Sequence, residues 1–369
     1  MTAQRRRCLS VLVFWVCGLG LCAGALGQLV PDRLYYGVGR PMPMTVRADR
    51  PGVEGESEQA GAALEVRLIR PVSLEVVGAA AVQPGQVDVA ALFPRLWAKS
   101  PGRVAGPTAG PTQEGAEGES PPLLYAQLVR VEGDRAEGVG PAVVLQPMTT
   151  PVRSVLDQRN PNVPRVVFLR EPGAERDVFS GYRAYIDKHV VLETEHGQIR
   201  LALRPDAAPN TAWNFRHLVE GGFYTDVVFH RVVSSGRPGE GFVIQAGDPS
   251  GTGYGGPGYE IAMEPSTIPH DFGVVSMARE RDPNSAGSQF FIALSRAETA
   301  RLDGLYCAFA QVVGGAEAVQ AIARSPVEGG SAFRPRTPPR ILRAYLVDAP
   351  PIGEGPPPMK PPGQGPVER

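Results

Sequence analysis

A chain of 369 residues with 43% hydrophobic content has material for two cores, but 44 glycines and 38 prolines commit much of it to loops and linkers. Lys+Arg 37 against Asp+Glu 38 leave a formal charge of -1, which excludes the broad positive field that draws in nucleic acid or an anionic membrane. Lysine occurs only at Lys99, Lys188 and Lys360, so the basic content is arginine.

Arg5-Arg6-Arg7 precedes an apolar run from Cys8 to Leu26, with the small residues Ala25 and Gly27 at its end. This is the pattern of a secretory signal peptide over 1–27, cleaved before Gln28, and it predicts an exported protein of the periplasm or cell envelope. The run also approaches the roughly 20 residues that span a bilayer, so an uncleaved membrane anchor is the alternative. Cys8, Cys17 and Cys22 fall in this segment, which leaves Cys307 alone and the mature chain without an internal disulfide. Cys307 sits in an apolar run and reads as packed.

Residues 28–150 are patterned as strands. Leu64-Glu65-Val66-Arg67-Leu68-Ile69, Leu74-Glu75-Val76-Val77, Val87-Asp88-Val89 and the run from Leu123 to Val129 are separated by Pro and Gly turns. They predict a small β-sandwich, interrupted by disordered insertions at 51–62 and 101–122, whose composition buries too little apolar surface to order them. Trp97 reads as a core or edge aromatic. No catalytic constellation occurs here. Residues 151–187 read as a connector in which Val166-Val167-Phe168-Leu169 suits a strand and the stretch from Asp177 to Tyr182 a turn.

A second domain, 188–348, opens with a β-hairpin around Glu195-His196-Gly197. A helix follows, capped by Asn210 or Thr211, with Ala212, Phe215, His217, Leu218 and Val219 along one side, and Gly221-Gly222 stops it. His217 has no visible carboxylate partner and reads as a surface or packed histidine, not a base. Residues 349–369 are rich in Pro and Gly and predict a disordered or polyproline-like tail.

Some motif matches fail on context. Gly251-Thr252-Gly253-Tyr254-Gly255-Gly256 fits the dinucleotide glycine pattern, but Pro257-Gly258-Tyr259 follows where a helix is required. His189, His196, His217, His230 and His270 lack metalloprotease spacing, so no metal is expected. No Gly-x-Ser-x-Gly elbow is present.

What remains is an ordered series: Ala208-Pro209-Asn210-Thr211, Asn214-Phe215, Gly222-Phe223-Tyr224, Phe229-His230-Arg231, Phe242-Val243-Ile244-Gln245, Gly247-Asp248, Ser276-Met277-Ala278, Gly287-Ser288-Gln289-Phe290-Phe291 and Leu302-Asp303-Gly304. In this order and spacing it resembles the cyclophilin family of peptidyl-prolyl cis-trans isomerases, over about residues 188–348. The resemblance implies a mainly β protein whose C-terminal domain is an eight-stranded closed β-barrel capped by two helices, the second over about 315–323. It also implies peptidyl-prolyl isomerase activity without a cofactor, on proline-containing polypeptides; from the balanced charge and the histidine spacing no nucleic acid or metal partner is expected, and the protein is expected to be a monomer.

By the same resemblance Arg231 is the catalytic arginine and Gln245 the residue that steadies it. Phe242, Val243, Phe291 and Leu302 form the proline slot, Ala278, Arg279 and Gln289 line the peptide groove, and Tyr306 stands where the family has a ring. Strand alternation sends one of Phe290 and Phe291 into the core and the other into the slot. Three positions depart from the pattern: Arg301 replaces a common tryptophan, which predicts weak cyclosporin binding, Ala246 replaces a glycine, and the 234–241 turn is longer than usual and is placed to overhang the groove.

The chemistry follows from the amide. Its conjugation sets a barrier of roughly 18–20 kcal/mol, and twisting the bond localises a lone pair on the prolyl nitrogen. A guanidinium, permanently charged and forked, can donate to that nitrogen while its other N–H groups hold a neighbouring carbonyl. Two other readings remain open on sequence: a proline-peptide binding module without useful turnover, and an envelope adhesion or assembly protein whose main role lies in residues 28–150.

Overall fold

The computed structural model describes residues 27–48, 63–97, 121–150, 152–157, 164–170, 178–234, 237, 240–328 and 333–362. The expected signal segment up to residue 26, the 51–62 insertion, most of 101–122 and much of the 234–241 turn lie outside them. The N-terminal part runs β1 (Gly27–Pro31), β2 (Tyr35–Gly37), β3 (Pro43–Ala48), β4 (Ala63–Ile69), β5 (Val76–Val82), β6 (Gly85–Asp88), helix α1 (Val89–Leu92), β7 (Leu124–Glu132), β8 (Arg135–Gly138), β9 (Val143–Thr149), β10 (Val152–Asp157), β11 (Arg165–Arg170) and β12 (Phe179–Ile186).

Strands β1 to β9 and β12 form two sheets. One has the order β1-β3-β6; the other has the order β2-β12-β9-β7-β4-β5, with β8 paired to β7. They enclose one core, in which Leu29, Met44 and Val46 of the first sheet join Val66, Leu128, Leu145 and Tyr182 of the second. Trp97 packs against this core, its ring 5.6 Å from that of Tyr182.

Three local expectations are corrected here. Val87-Asp88-Val89 is not one strand, because the Asp88 carboxylate accepts the Ala90 N–H and starts α1 at Val89. The stretch up to Tyr182 is not a turn: Phe179–Ile186 is a strand inserted between β2 and β9. The 151–187 stretch is therefore no simple connector, since β12 buries Tyr182 and Ala184 in the N-terminal core. Between them β10 and β11 form a separate two-stranded hairpin, with Ser154 opposite Phe168.

The second part runs β13 (Lys188–Thr194), β14 (Gly197–Leu203), helix α2 (Pro209–Glu220), β15 (Val227–Val228), β16 (Arg231–Val233), β17 (Val243–Ala246), β18 (Val274–Met277), β19 (Phe290–Ala293), helix α3 (Arg296–Thr299), β20 (Ala308–Gly314), helix α4 (Ala316–Ala323) and β21 (Arg340–Asp348). Its strands pair in the order β15-β21-β13-β14-β20-β18-β19-β17-β16. This corrects the expected closed eight-stranded barrel: the ladder has nine strands and stays open between β15 and β16 among the described residues. The cause is a break at Phe229-His230. Phe229 donates its N–H to the Pro339 carbonyl at 2.8 Å on one side, whereas Arg231 pairs with Gln245 on the other. The two ends of the ladder are thus joined along the chain, not by strand pairing.

Helix α2 carries Ala212, Phe215, Leu218 and Val219 into the core beneath this sheet, and α4 adds Val319 and Ile322. Apart from Ala212, each of these side chains contributes about 1.5–3 kcal/mol by burial. The expected Asn210 or Thr211 cap is replaced by a distant one. The helix starts at Pro209, and the Glu264 carboxylate accepts the N–H groups of Asn210 and Thr211 at 3.0 and 2.7 Å. An anion suits this position because the first turn leaves its N–H groups unpaired. Gly222, at φ 75, turns the chain out of the helix as expected.

The expected disordered tail is also corrected over its described part. Ile352 donates its N–H to Gln127 at 3.1 Å and Met359 to the Val312 carbonyl at 2.8 Å, so residues 350–362 run across both parts of the molecule. Ile352 packs beside Tyr125 and Tyr185, and Met359 packs on the core of the second part. Two apolar side chains in a proline-rich stretch, together with these hydrogen bonds and one from the Gly138 N–H to Glu354, dock it.

Candidate active site

Strand alternation separates the two phenylalanines of β19. Phe290 is fully buried in the main core, its ring 5.3 Å from Phe215 and 5.7 Å from Tyr224. Phe291 points the other way, into a smaller cluster with Val243 and Leu302, against which Phe242, Ala278, Val233 and Tyr306 pack. All four residues expected to form the proline slot are therefore together. Tyr306 closes one side, edge-on to Phe291 at 5.5 Å.

Arg231, on β16, is directly opposite Gln245 of β17, and Gln245 is directly opposite Phe291 of β19. Two adjacent ladders thus set the charge and the slot in register. Arg231 Nη1 donates to Gln245 Oε1 at 3.5 Å, Gln245 Nε2 to Gln289 Oε1 at 3.0 Å, and Gln289 Nε2 to the Gly253 and Gly255 carbonyls, each at 2.9 Å. The relay has one direction: every amide oxygen accepts from the Arg231 side or is satisfied within the relay, and every amide nitrogen donates away from it. Burial pulls the Arg231 pKa below its ordinary value; Tyr306 opposes that and the charge of Arg301 adds to it. A guanidinium nevertheless stays charged at any physiological pH. What the site offers is a half-buried cation, held by one amide, beside an apolar slot.

The Gly-rich loop that ends this relay is built on Asp248. Its carboxylate accepts the N–H of Ser250 at 2.7 Å, the N–H of Gly253 at 2.6 Å and the Ser250 hydroxyl at 2.7 Å. Burial raises the Asp248 pKa, but hydrogen bonds from Ser250, Gly255 and Gly253 outweigh it and hold the carboxyl well below the usual range. No helix follows the loop, in keeping with rejection of the dinucleotide reading.

A groove of about 640 Å³ runs from Gln245, Ala278 and Gln289 along the Gly-rich loop to Arg279 and Glu280. Arg279 lines it, but its fork is occupied. Nε and Nη2 donate to the Leu305 carbonyl at 3.2 and 2.8 Å, and Nη1 to the carbonyls of Glu280 and Arg281 at 2.8 and 3.3 Å. Its guanidinium also lies 4.7 Å from the Tyr306 ring centroid. Arg279 therefore positions the groove wall and Tyr306. Arg301, at the position of the expected tryptophan, lies 4.2 Å over the Phe242 ring and replaces one flat surface by another that is charged.

Sequence reasoning missed His270. It stacks on Phe291 and is hydrogen-bonded to Asp303 Oδ1 at 2.9 Å and to Ser276 Oγ at 2.7 Å. The order Ser-His-Asp imitates a hydrolase triad, but Ser276 is fully buried and no substrate carbonyl can reach it. Ser276 and Asp303, inside the Ser276-Met277-Ala278 and Leu302-Asp303-Gly304 motifs, gave sequence signals for this network, and His270 gave none. His217 is exposed on α2, away from any carboxylate among the described contacts. Cys307 is buried, its thiol pushed up to about 12 by burial and the nearby Glu264, with a Thr211 hydrogen bond opposing.

The family model that matches the chain, over residues 189–346, is described as "Cyclophilin type peptidyl-prolyl cis-trans isomerase/CLD". A "Peptidyl-prolyl cis-trans isomerase" of Synechococcus elongatus is 46% identical over 121 residues, covering 33% of this chain and 77% of the relative. A "Peptidyl-prolyl cis-trans isomerase-like 1" of Aspergillus fumigatus is 37% identical over 164 residues, covering 43% of this chain and 95% of the relative. Among solved structures, a cyclophilin type peptidyl-prolyl cis-trans isomerase of Cryptosporidium parvum aligns with a TM-score of 0.40 at 29% identity, over 44% of this chain and 99% of that one.

Proposed function

The chain belongs to the cyclophilin-type peptidyl-prolyl cis-trans isomerases, and from that premise we propose that Arg231 drives isomerisation of Xaa-Pro bonds in exported polypeptides as they fold. The observation that carries the mechanism is the half-buried Arg231, held by Gln245 at 3.5 Å beside the Phe242, Val243, Phe291 and Leu302 slot.

The proline ring enters that slot and the flanking chain lies in the groove lined by Ala278 and Gln289. The apolar walls exclude water from the reacting amide, which strengthens any hydrogen bond made there. As the amide twists, its nitrogen loses conjugation and gains a lone pair. Arg231 donates to that nitrogen in the twisted state and finds no lone pair on it in the planar one. This is selective stabilisation of the transition state, and no covalent bond to the protein forms. Gln245 keeps the fork aimed, and Gln289 and the Gly253 and Gly255 carbonyls keep Gln245 aimed. Arg279 holds the groove wall through backbone carbonyls and reaches the substrate only through that wall.

Export rests on the N-terminal segment, and the proposed compartment is the periplasm or cell envelope. Within the fold, residues 28–150 together with β12 act as an accessory sandwich, and 188–348 as the isomerase, with α2 and α4 as the two caps of its sheet. The test is turnover of a short Xaa-Pro peptide by the full chain beside its Arg231→Ala variant. Turnover lost in a variant that still folds supports the mechanism. A folded wild-type chain that binds the peptide without turning it over moves the reading to a proline-binding module.

A further inference from the structure

The β10–β11 hairpin does not join the N-terminal sandwich; it is seated on the wall of the isomerase groove. Ser154, Leu156, Val166 and Phe168 share one face by register, and Val166 and Phe168 pack on the isomerase core. Ser154 is 1% exposed, its hydroxyl bonded to Asn284 Oδ1, and its carbonyl accepts Asn284 Nδ2 at 2.7 Å. That carbonyl points out of the hairpin edge towards the 279–285 loop. The same loop has two sides: Arg279, Glu280 and Ser285 line the large groove, while Arg281 to Asn284 line a second cavity.

The second cavity, about 300 Å³, lies between that loop and the residues from Arg153 to Leu156 of β10. Its charges are Arg153, Arg281 and Asp282. The Asp282 carboxylate is turned into its own loop, where Oδ1 accepts the Asn284 N–H at 2.8 Å and Asn284 Nδ2 at 3.1 Å. Arg153 and Arg281 are exposed and have no ion-pair partner among the described residues. Val155 and Leu156 are among its lining residues. The large groove and this cavity share the 279–285 loop as their common wall.

We propose that the hairpin and the 281–284 loop build an additional substrate subsite that takes an acidic side chain of the polypeptide, at a distance from the proline. The subsite rests on the isomerase reading above, because the groove supplies the chain that reaches it. The expected preference for glutamate over glutamine is about threefold to fivefold, the scale of a weak exposed ion pair, and it weakens with salt.

The experiment uses the full chain, with peptides that hold one Ala-Pro bond and carry glutamate, glutamine or lysine at successive positions on either side. Binding is read by fluorescence anisotropy, and turnover is read in parallel with a short Xaa-Pro peptide that cannot reach the hairpin. The expected result is a position at which glutamate binds more tightly than glutamine and lysine more weakly. Arg153→Gln with Arg281→Gln abolishes that difference and leaves short-peptide turnover unchanged, and Arg153→Glu with Arg281→Glu reverses the preference towards lysine. Equal binding of all three series by a wild-type chain that turns over the short peptide overturns the subsite alone. A glutamate preference that survives both double variants also overturns it. Loss of short-peptide turnover with the preference intact overturns the catalytic reading and leaves the subsite as a binding site.

Discussion

The His270 imidazole lies nearly parallel to the Phe291 ring, with centroids 6.0 Å apart and planes 22° from each other. The histidine is itself held at both nitrogens, by Asp303 at Nδ1 and Ser276 at Nε2, and its N–H donates to Asp303 Oδ1 at 2.8 Å. Burial lowers its pKa, opposed by Asp303 and aided by the charge of Arg296. A neutral ring donates from Nδ1 to the carboxylate and accepts the Ser276 hydroxyl at Nε2. The slot wall therefore rests on a hydrogen-bonded plate.

Replacing His270 by leucine keeps volume and removes both hydrogen bonds. Ser276, fully buried, loses its partner, whereas the exposed Asp303 keeps Arg296 and the backbone N–H of residue 270, and the expected loss of stability is about 1–3 kcal/mol. Phe291 then loses its fixed orientation, so turnover falls as well. Denaturant unfolding and Xaa-Pro turnover check the two effects; unchanged turnover in the folded variant sinks the positioning role.

Arg231→Lys separates charge from shape. Lysine keeps the cation and loses the fork that donates to the prolyl nitrogen while bonding Gln245. Turnover is expected to drop at least tenfold, about 1.4 kcal/mol of transition-state stabilisation, with little change in unfolding free energy. Lysine activity close to wild type would leave a point charge as the sole requirement.

Phe290→Ala and Phe291→Ala differ by one residue and should fail differently. Phe290 lies between Phe215 and Tyr224 in the main core, and its loss is expected to cost about 3–5 kcal/mol of stability. Phe291 belongs to the smaller cluster at the site, so its variant should stay folded and lose peptide affinity. Thermal melts beside peptide titration distinguish the two; equal melts would contradict the inward and outward assignment.

His189 carries a pH dependence. It is 6% exposed and its Nδ1 has no partner among the described residues. Burial, with Arg200 adding, lowers its pKa from 6.5 to about 4. The unfolded chain therefore binds a proton at this residue, over that window, that the folded chain does not. Its contribution to stability is complete above about 6.5 and is lost as pH falls towards about 4, by about 1–2 kcal/mol after allowance for solvent screening. Unfolding free energies at pH 7.5 and 5 should differ less in His189→Gln than in the wild type. An equal difference in both would assign the dependence to other groups.

The sequence by itself determined the elements whose signals are local. The hairpin pairing Thr194 with Gly197, the Gly222 stop of α2 and the alternation of Phe290 and Phe291 follow from periodicity and turn chemistry, and the gathering of Phe242, Val243, Phe291 and Leu302 was implied by the family resemblance of the motif series. The tertiary structure alone decided what depends on partners distant along the chain. Glu264 caps a helix begun at Pro209, Leu305 takes the fork of Arg279, β12 enters the N-terminal sheet, and Asn284 anchors Ser154. Backbone N–H and C=O groups are alike in almost every residue, so the sequence does not say which distant pair will meet. That choice is made when the cores close and each buried donor must find an acceptor.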